Sequence, residues 1–407
     1  MTAVAIDPAK PLLAPVAPAA RARIVTPALV RVFVSEFGAL TSFYLLLSVV
    51  PLYAASIGVA GNAAGLATAA LMLSTVSAEL VTSRLVARFG YRFVLAGGLL
   101  LMGAPALVLP ATASVQAIVA VCAARGLGFG IIVVVGGSLV ASLVPRERRG
   151  EGLGLYGVVV GIPSVVALPL GLWLVGQVGY APVFVGAAVA ALTGLVAVPG
   201  LPGRAPTPQQ PVGLLAAMRM PALLRPSIVF CATTVAAGVV VTFLPLATRG
   251  ASANLATVAL LAHATAATAT RWWAGRFGDN HGAGRLLLPG LLASAGGLLA
   301  VVLIASPVAV VLGMLLFGAG FGVTQNASLA LMFDRVSPSG YDAASALWSL
   351  AYDGGLGLGA AGFGVLVMWT GYPAAFAVTA VLMLSTVTVA PRQKIWPRSL
   401  GRSGTSR

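Results

Sequence analysis

The stretch "RGLGFG" (residues 125–130) decides the fold, because a related stretch, "FGAGFG" (317–322), follows at a distance of 192 residues. Gly90 and Gly282 are separated by the same distance, and both lie in connections between apolar segments. Each glycine-rich copy lies inside a long apolar segment of its own. We therefore expect a chain made of two related halves.

Composition indicates that these halves lie in a lipid bilayer. Of the 407 residues, 59% are hydrophobic and 8% are charged, and the mean hydropathy is +1.01. Soluble domains average about 25% charged residues, so this chain has too few charges to cover a surface that faces water. The composition predicts an all-α protein that crosses the membrane several times.

A helix that crosses a membrane needs about 20 mostly apolar residues. Twelve segments approach or exceed this length, six before the Pro/Gly-rich stretch "PGLPGRAPTPQQP" (199–211) and six after it. The segments cover residues 30–53, 63–83, 93–109, 114–143, 152–175, 181–198, 224–247, 254–273, 286–305, 308–333, 343–368 and 374–390. The sequence thus predicts two pseudo-symmetric bundles of six helices. Two such repeats around a site at mid-membrane are typical of transporters.

Arginine is concentrated in every second loop. The loops after the even-numbered spans hold most of the loop arginines, whereas those after the odd-numbered spans hold only Arg249. Because cationic loops stay in the cytoplasm, we expect both termini there. The net charge of +15 is then an orientation signal, and no nucleic-acid partner is expected. The predicted order is a flexible tail, a first bundle, a linker, a second bundle and a basic tail, at 1–27, 28–200, 201–221, 222–391 and 392–407.

Two loop motifs resemble the major facilitator superfamily. "SRLVARFGYR" (83–92) follows the family's loop between helices 2 and 3, and "GRFGDNHG" (275–282) is its second copy. The matching positions are Arg88, Gly90, Arg92, Gly275, Asp279 and Gly282. In the family, the acid and the arginine of this loop latch a cytoplasmic gate. Because Ala87 replaces the acid in the first copy, the resemblance implies that Asp279 carries the latch.

Two further segments resemble the drug/proton antiporter-type exporters of this family, which have twelve helices. In those exporters helix 4 carries an arginine followed by glycines, as at Arg125, and their helix-5 signature is loosely matched within residues 161–174. The helix-5 positions that match are Gly161, Pro163, Pro169 and Gly171. The resemblance implies proton-coupled efflux of a small lipophilic or metabolite-like molecule by alternating access. A proton symporter or facilitator that imports a nutrient is the alternative, and a receptor or scaffold without transport is a third interpretation.

Glu36, Arg125 and Asp353 are the candidate coupling residues, because each lies inside a predicted span. A charged side chain at the centre of a membrane helix costs about 2.5–3.5 kcal/mol on insertion scales, so such groups normally face a cavity or each other. We interpret Glu36 as a proton-binding carboxylate gated by Arg125; a static buried ion pair is the alternative. Asp353 is either a cavity group or an interhelical hydrogen-bonding partner.

Three other polar features of the spans have simpler interpretations. Glu79 is close in sequence to Arg84 and Arg88 and is predicted to form a local ion pair at the membrane edge. His263 is interpreted as a polar packing residue, with titration near neutral pH as the alternative. The sequence "RWW" (271–273) is interpreted as an aromatic anchor at the membrane interface.

The few remaining polar residues argue against an enzyme. Two histidines, two cysteines and nine acidic residues do not form a catalytic triad or a metal-binding cluster, and the glycine runs lack the Lys-Ser/Thr of a phosphate-binding loop. No cofactor is expected. The expected partners are a small-molecule substrate, protons and the lipid bilayer. The protein is expected to be a monomer in a bacterial cytoplasmic membrane.

Overall fold

The computed structural model describes residues 25–58, 60–144, 149–201, 203, 218–249, 254–336 and 341–389. Throughout this part of the chain the regular structure is helical. α1 is interrupted at Ser48 and runs over Pro27–Leu47 and Val49–Ile57. Two long segments, Ala60–Gly103 and Tyr341–Ser385, are each divided by one glycine with non-helical torsion angles.

Each divided segment forms two helices, which we label α2 (60–89) with α3 (91–103), and α11 (341–370) with α12 (372–385). The other helices are α4 (Val115–Leu143), α5 (Arg149–Val178), α6 (Tyr180–Thr193), α7 (Pro221–Ala247), α8 (Leu255–His281), α9 (Gly284–Val301) and α10 (Pro307–Phe333). Short 3-10 helices follow α3, α6 and α12 at Ala104–Ala111, Gly194–Gly200 and Thr386–Thr388.

The number of membrane crossings agrees with the prediction. Nine helical segments of the described chain are long and apolar enough to cross a membrane. Two of them have 50 and 45 residues, more than twice the length of about 20 that one crossing needs, and each contains a dividing glycine. α8 falls outside the nine, because its threonines, His263 and Arg271 lower its hydropathy. Because each of the two divided segments contains two helices, the nine segments contain eleven helices, and α8 is the twelfth.

The 192-residue repeat is visible in the backbone. Gly90 and Gly282 have φ of 80° and 89°, and Gly179 and Gly371 have φ of 78° and 72°; the members of each pair are 192 positions apart. This left-handed region favours glycine because it has no Cβ. The helix caps repeat as well, because Ser114 and Ser306 each accept a backbone N–H at the start of α4 and α10.

The glycine-rich stretches repeat their packing partners too. A Cβ at Gly126 would overlap the Leu71 carbonyl, and a Cβ at Gly318 would overlap the His263 carbonyl, where residues 71 and 263 are again 192 apart. α4 therefore lies against α2 in the first half as α10 lies against α8 in the second. The glycines are needed for close helix packing, as is common between membrane helices. The fold is the predicted pair of pseudo-symmetric six-helix bundles.

The two bundles meet chiefly where α2 packs on α11 and where α5 packs on α8. We call the end of the molecule at which α1 begins the terminal face, and the opposite end the distal face. Near the distal face, three hydrogen bonds join the bundles. They connect Thr68 Oγ1 with Thr242 Oγ1 at 3.0 Å, Ser48 Oγ with the Val241 carbonyl at 2.7 Å, and Arg249 Nη2 with the Leu52 carbonyl at 3.1 Å.

The predicted orientation can be tested with single cysteines at Gly61 and Gly203, in a background in which Cys122 and Cys231 are replaced by alanine. Gly61 follows α1 near the distal face, and Gly203 is exposed after α6, with open space for a side chain. A membrane-impermeant maleimide should label Cys at 203 only after the cytoplasmic side is made accessible, and Cys at 61 in intact cells. Labelling of both from one side would contradict the twelve-helix arrangement.

Candidate functional site

A cavity of about 100 Å³ lies between the two bundles. This is enough room for several water molecules, since one water needs about 10–15 Å³ on the same measure. The polar side chains that line it are Tyr44, Ser164, His263, Thr268, Arg271, Gln325 and Tyr352. They come from α1, α5, α8, α10 and α11, so both halves contribute to one site.

A pair of carboxyl groups connects the halves beside this cavity. The carboxyl groups of Glu79 of α2 and Asp353 of α11 lie next to each other, within reach of a shared hydrogen bond. Asp353 is 6% exposed and Glu79 is half-buried. Along the helices, Glu79 lies about 16 Å from Gly90 and Asp353 about 18 Å from residue 341, which is close to mid-depth. Two carboxyl groups form such a hydrogen bond only when one carries a proton.

The structure therefore gives Glu79 a different partner from the predicted one. Instead of pairing with Arg84 or Arg88 on its own chain segment, Glu79 reaches across to the other bundle. Arg88 lies over the ring of Phe89, with 5.2 Å between its Cζ and the ring centroid. For Asp353, the structure shows an interhelical contact with Glu79, next to Tyr352, which lines the cavity; whether Asp353 serves a substrate or a proton stays a prediction.

A tyrosine pair accompanies the carboxyl pair. Tyr44 of α1 and Tyr352 of α11 line the cavity from the two halves. Asp353 follows Tyr352 on α11, and Arg271 lines the same cavity as the two tyrosines. The two pairs and Arg271 thus lie close together between the bundles.

Glu36 lies inside the first bundle and not at the interface. It is 1% exposed, and it packs against Gly136 of α4, where any Cβ would overlap the carboxyl group. Tyr156 of α5 donates a hydrogen bond of 3.4 Å to Oε2, and Oε1 has no hydrogen-bond partner. All of these contacts are made within α1, α4 and α5.

Arg125 lies far from Glu36, which contradicts the predicted pairing. Its guanidinium donates to the Met102 carbonyl at 3.2 Å and to the Ser42 carbonyl at 3.0 Å, and the residue is 2% exposed. The eleven positions from Arg125 to Gly136, against which Glu36 packs, span about 16 Å of α4. Sequence spacing placed both groups on neighbouring helices, but their depths in the bundle differ. Arg125 joins α1, the end of α3 and α4 through backbone carbonyls.

Replacing Arg125 by alanine should therefore destabilise the first bundle. The substitution removes two hydrogen bonds that a charged group donates, each worth about 1.5–3 kcal/mol, and it leaves a cavity in the bundle. We expect a clearly lower midpoint of thermal unfolding in detergent, partly restored by lysine, which keeps the charge but loses the planar fork of donors. Arg276→Ala, at an exposed position of α8, is the control. An unchanged midpoint for Arg125→Ala would show that the contacts to α1 and α3 do not stabilise the fold.

Arg271 has a role that the sequence analysis missed. Trp272 and Trp273 are exposed, as expected of an interfacial anchor. Arg271, however, lines the cavity and lies 3.5 Å from Oε1 of Gln325 through its Nη1. Among the residues that the structure describes, it has no ion-pair partner. The signal that could have identified it is the repeat itself, because Arg271 is 192 positions after Glu79.

His263 also faces the cavity. It is 6% exposed and stacks on Phe317, with 5.2 Å between ring centroids. Its Nδ1 is buried and has no hydrogen-bond partner. His263 thus packs against an aromatic ring, as predicted, while its Nδ1 has no hydrogen-bond partner beside the cavity.

The gate-loop residues lie at the terminal face. Gly90 and Gly282 form the turns described above, and Arg92 donates to the Leu201 carbonyl, so the first loop is held to the end of the first bundle. Gly275 lies within α8, next to Asn326 of α10. The side chain of Asp279 lies outside the described residues, so its latch remains a prediction.

The helix-5 positions are divided between two environments. Pro163 and Pro169 lie within α5, and Gly171 packs directly on the Leu45 carbonyl of α1. A Cβ at Gly161, in contrast, would meet nothing within 4 Å. Gly171 therefore serves helix packing, whereas Gly161 borders open space.

Comparisons with known proteins agree with this architecture. A sequence model described as Major Facilitator Superfamily matches residues 32–340 and 226–392. A search of curated proteins finds no significant match. Similar solved structures include an auto-inhibited peptide transporter of the POT family, with a TM-score of 0.74, 12% identity and coverage of 92% of this chain and 98% of that one.

Two further solved structures show the same fold. A variant of the nucleoside transporter NupG has a TM-score of 0.73 and 13% identity, with 89% of this chain and 100% of that chain covered. The xylose transporter XylE from E. coli has a TM-score of 0.71 and 14% identity, with 89% and 97% covered. The chain is a multi-pass membrane transporter, not an enzyme, and it belongs to the major facilitator superfamily.

Proposed function

We propose that this protein couples the transport of a small organic molecule to protons by alternating access, with the Glu79–Asp353 pair as the proton-binding site. The observation that carries the proposal is the close approach of these two carboxyl groups between the bundles. One group is contributed by each bundle, and two carboxyl groups this close favour sharing one proton over carrying two negative charges.

A rocking motion of the bundles links the proton to the transport cycle. When α2 moves relative to α11, the two carboxyl groups separate, and the shared proton loses one of its acceptors. Buried carboxylates without partners are costly, so separation has to be accompanied by access to water and exchange of the proton. Glu36 cannot respond in this way, because its contacts all lie in the first bundle, whose helices move together.

The described conformation corresponds to one end of this cycle. The three hydrogen bonds near the distal face hold the bundles together there, while Thr268 and Arg271 line the cavity and are exposed. With the orientation inferred from the loop arginines, the terminal face is cytoplasmic and the cavity opens inward. The opposite state requires these distal contacts to break.

Export in exchange for protons is the direction that we propose, supported by the resemblance of the Arg125 stretch and of helix 5 to exporter signatures. Symport is the second candidate, and one observation favours it. Arg271 and Tyr352, the chain neighbour of Asp353, line the same cavity, so a substrate that neutralises Arg271 would remove a positive charge near the carboxyl pair and favour the proton on it. By linkage, the proton then favours that substrate equally.

Proteoliposomes with an imposed pH gradient test the function and its direction. The probes are labelled nucleosides, sugars, dipeptides and aromatic carboxylates, with and without a proton ionophore. Antiport predicts accumulation when the lumen is acidic, and symport predicts accumulation when the external medium is acidic. Transport of a probe that is insensitive to both gradients and to the ionophore would contradict proton coupling.

A further inference from the structure

The charged groups at the interface are distributed unequally between its two pseudo-equivalent parts. The 192-residue repeat relates Glu79 to Arg271 and Gly161 to Asp353. It also relates the contact of α2 with α11 to the contact of α8 with α5, and both contacts are present. One part of the interface therefore holds a carboxyl pair, and the other holds an arginine on α8 and a glycine on α5 at the corresponding positions.

The position in α5 that corresponds to Asp353 is occupied by Gly161 and leaves room for a ligand group. Gly161 has no side chain, and a Cβ built there would meet no atom within 4 Å. Ser164, one turn along α5 from Gly161, and Thr268, one turn along α8 from Arg271, both line the central cavity. The pseudo-symmetry and these two neighbours of Gly161 and Arg271 lead us to infer that the space beside Gly161 adjoins this cavity, where it corresponds to the position of the Asp353 carboxyl group.

Arg271 itself is available to a ligand. Within the described part of the chain its polar contact is a long one of 3.5 Å to Gln325, and no carboxylate pairs with it. The planar guanidinium binds carboxylates through two parallel hydrogen bonds. His263 adds a buried Nδ1 without a partner to the same cavity.

The rest of the cavity suits an apolar body. Aromatic and aliphatic side chains form its other walls, contributed by Phe43, Leu168, Phe321 and Leu356. Such walls favour rings and alkyl chains over hydroxyl-rich molecules, whose polar groups would lose their hydrogen bonds to water.

We propose that the transport site binds a small organic carboxylate with an apolar or aromatic body, whose anionic group pairs with Arg271 in the space beside Gly161. This inference rests on the proposed transport function and adds the class of substrate. Beside Gly161, the carboxylate of the ligand takes the position that corresponds to the carboxyl group of Asp353 at the contact of α2 with α11.

Equilibrium binding to the purified protein tests the proposal without any gradient. The probes are benzoate, phenylacetate and indole-3-acetate, each compared with its uncharged amide, and the readouts are calorimetry and the shift of the unfolding midpoint. We expect at least one carboxylate to bind at least tenfold more tightly than its amide, and Arg271→Gln to remove this preference. Arg276→Gln, an exposed arginine over the Trp272 ring on the same helix, should keep it.

Gly161 supplies a matched pair of variants. Gly161→Asp places a carboxylate opposite Arg271 and should compete with the ligand, which weakens binding at least tenfold. Gly161→Asn adds the same volume without the charge and should weaken binding far less. An equal loss of ligand binding in both variants would mean that the added side chain blocks the space and that its charge has no effect. This result would overturn the proposal.

The outcomes separate this proposal from the proposed function. Equal binding of acids and amides, or no binding of any probe, overturns the carboxylate site even if another compound is transported with protons. Arg271-dependent binding of a carboxylate whose transport ignores the pH gradient supports the site and contradicts proton coupling.

Discussion

Replacing Asp353 by asparagine is expected to abolish uphill transport driven by a pH gradient. Asparagine retains the size of the side chain and a hydrogen bond to Glu79, but it cannot take up or release a proton. We expect accumulation in proteoliposomes to fall to the level of protein-free vesicles, while exchange of labelled for unlabelled substrate at equal concentrations continues. Glu79→Gln should have the same effect, because the pair binds one proton jointly.

Glu36→Gln is the matched comparison. It also neutralises a buried acid of a membrane helix, but its contacts lie within the first bundle, so coupled accumulation should continue. If Glu36→Gln eliminated accumulation and Asp353→Asn did not, Glu36 would be the coupling site. A loss of folded protein in either variant would be recognised from its gel-filtration profile, and the exchange assay shows directly whether the site still works.

A disulfide across the distal face should block transport completely and reversibly. The Thr68 and Thr242 hydroxyl oxygens are 3.0 Å apart, which is compatible with a disulfide after substitution of both residues by cysteine. The bond would join α2 to α7 and prevent the distal side from opening. With Cys122 and Cys231 replaced by alanine, oxidation should reduce transport to background, and a reducing agent should restore it.

The single variants Thr68→Cys and Thr242→Cys control for the loss of the hydroxyl–hydroxyl contact, and both should be insensitive to oxidant. Binding of ligand from the terminal side should survive in the cross-linked protein, because that side of the cavity is exposed. Transport that continues at full rate in demonstrably cross-linked protein would show that the distal contacts need not break during the cycle.

The sequence by itself determined the architecture of this protein. Long apolar segments have no stable alternative to helices in a bilayer, because every backbone group must be hydrogen-bonded within the segment. The 192-residue repeat predicted two halves, and it located Gly90 and Gly282 at equivalent turns with positive φ. The same repeat already paired Glu79 with Arg271 and Gly161 with Asp353 in the alignment of the halves.

Only the tertiary structure decided which of these groups meet. In a soluble helix the apolar stripe shows which face is buried, but a membrane helix is apolar on all sides, so its sequence does not reveal which face meets another helix. Glu79 was therefore assigned to nearby arginines, whereas it contacts Asp353, 274 positions away. Arg125 and Glu36 lie on adjacent helices but at different depths, and Arg271 turns toward the cavity while its tryptophan neighbours face outward. Depth and rotation are set by how the helices pack, and they determined the site.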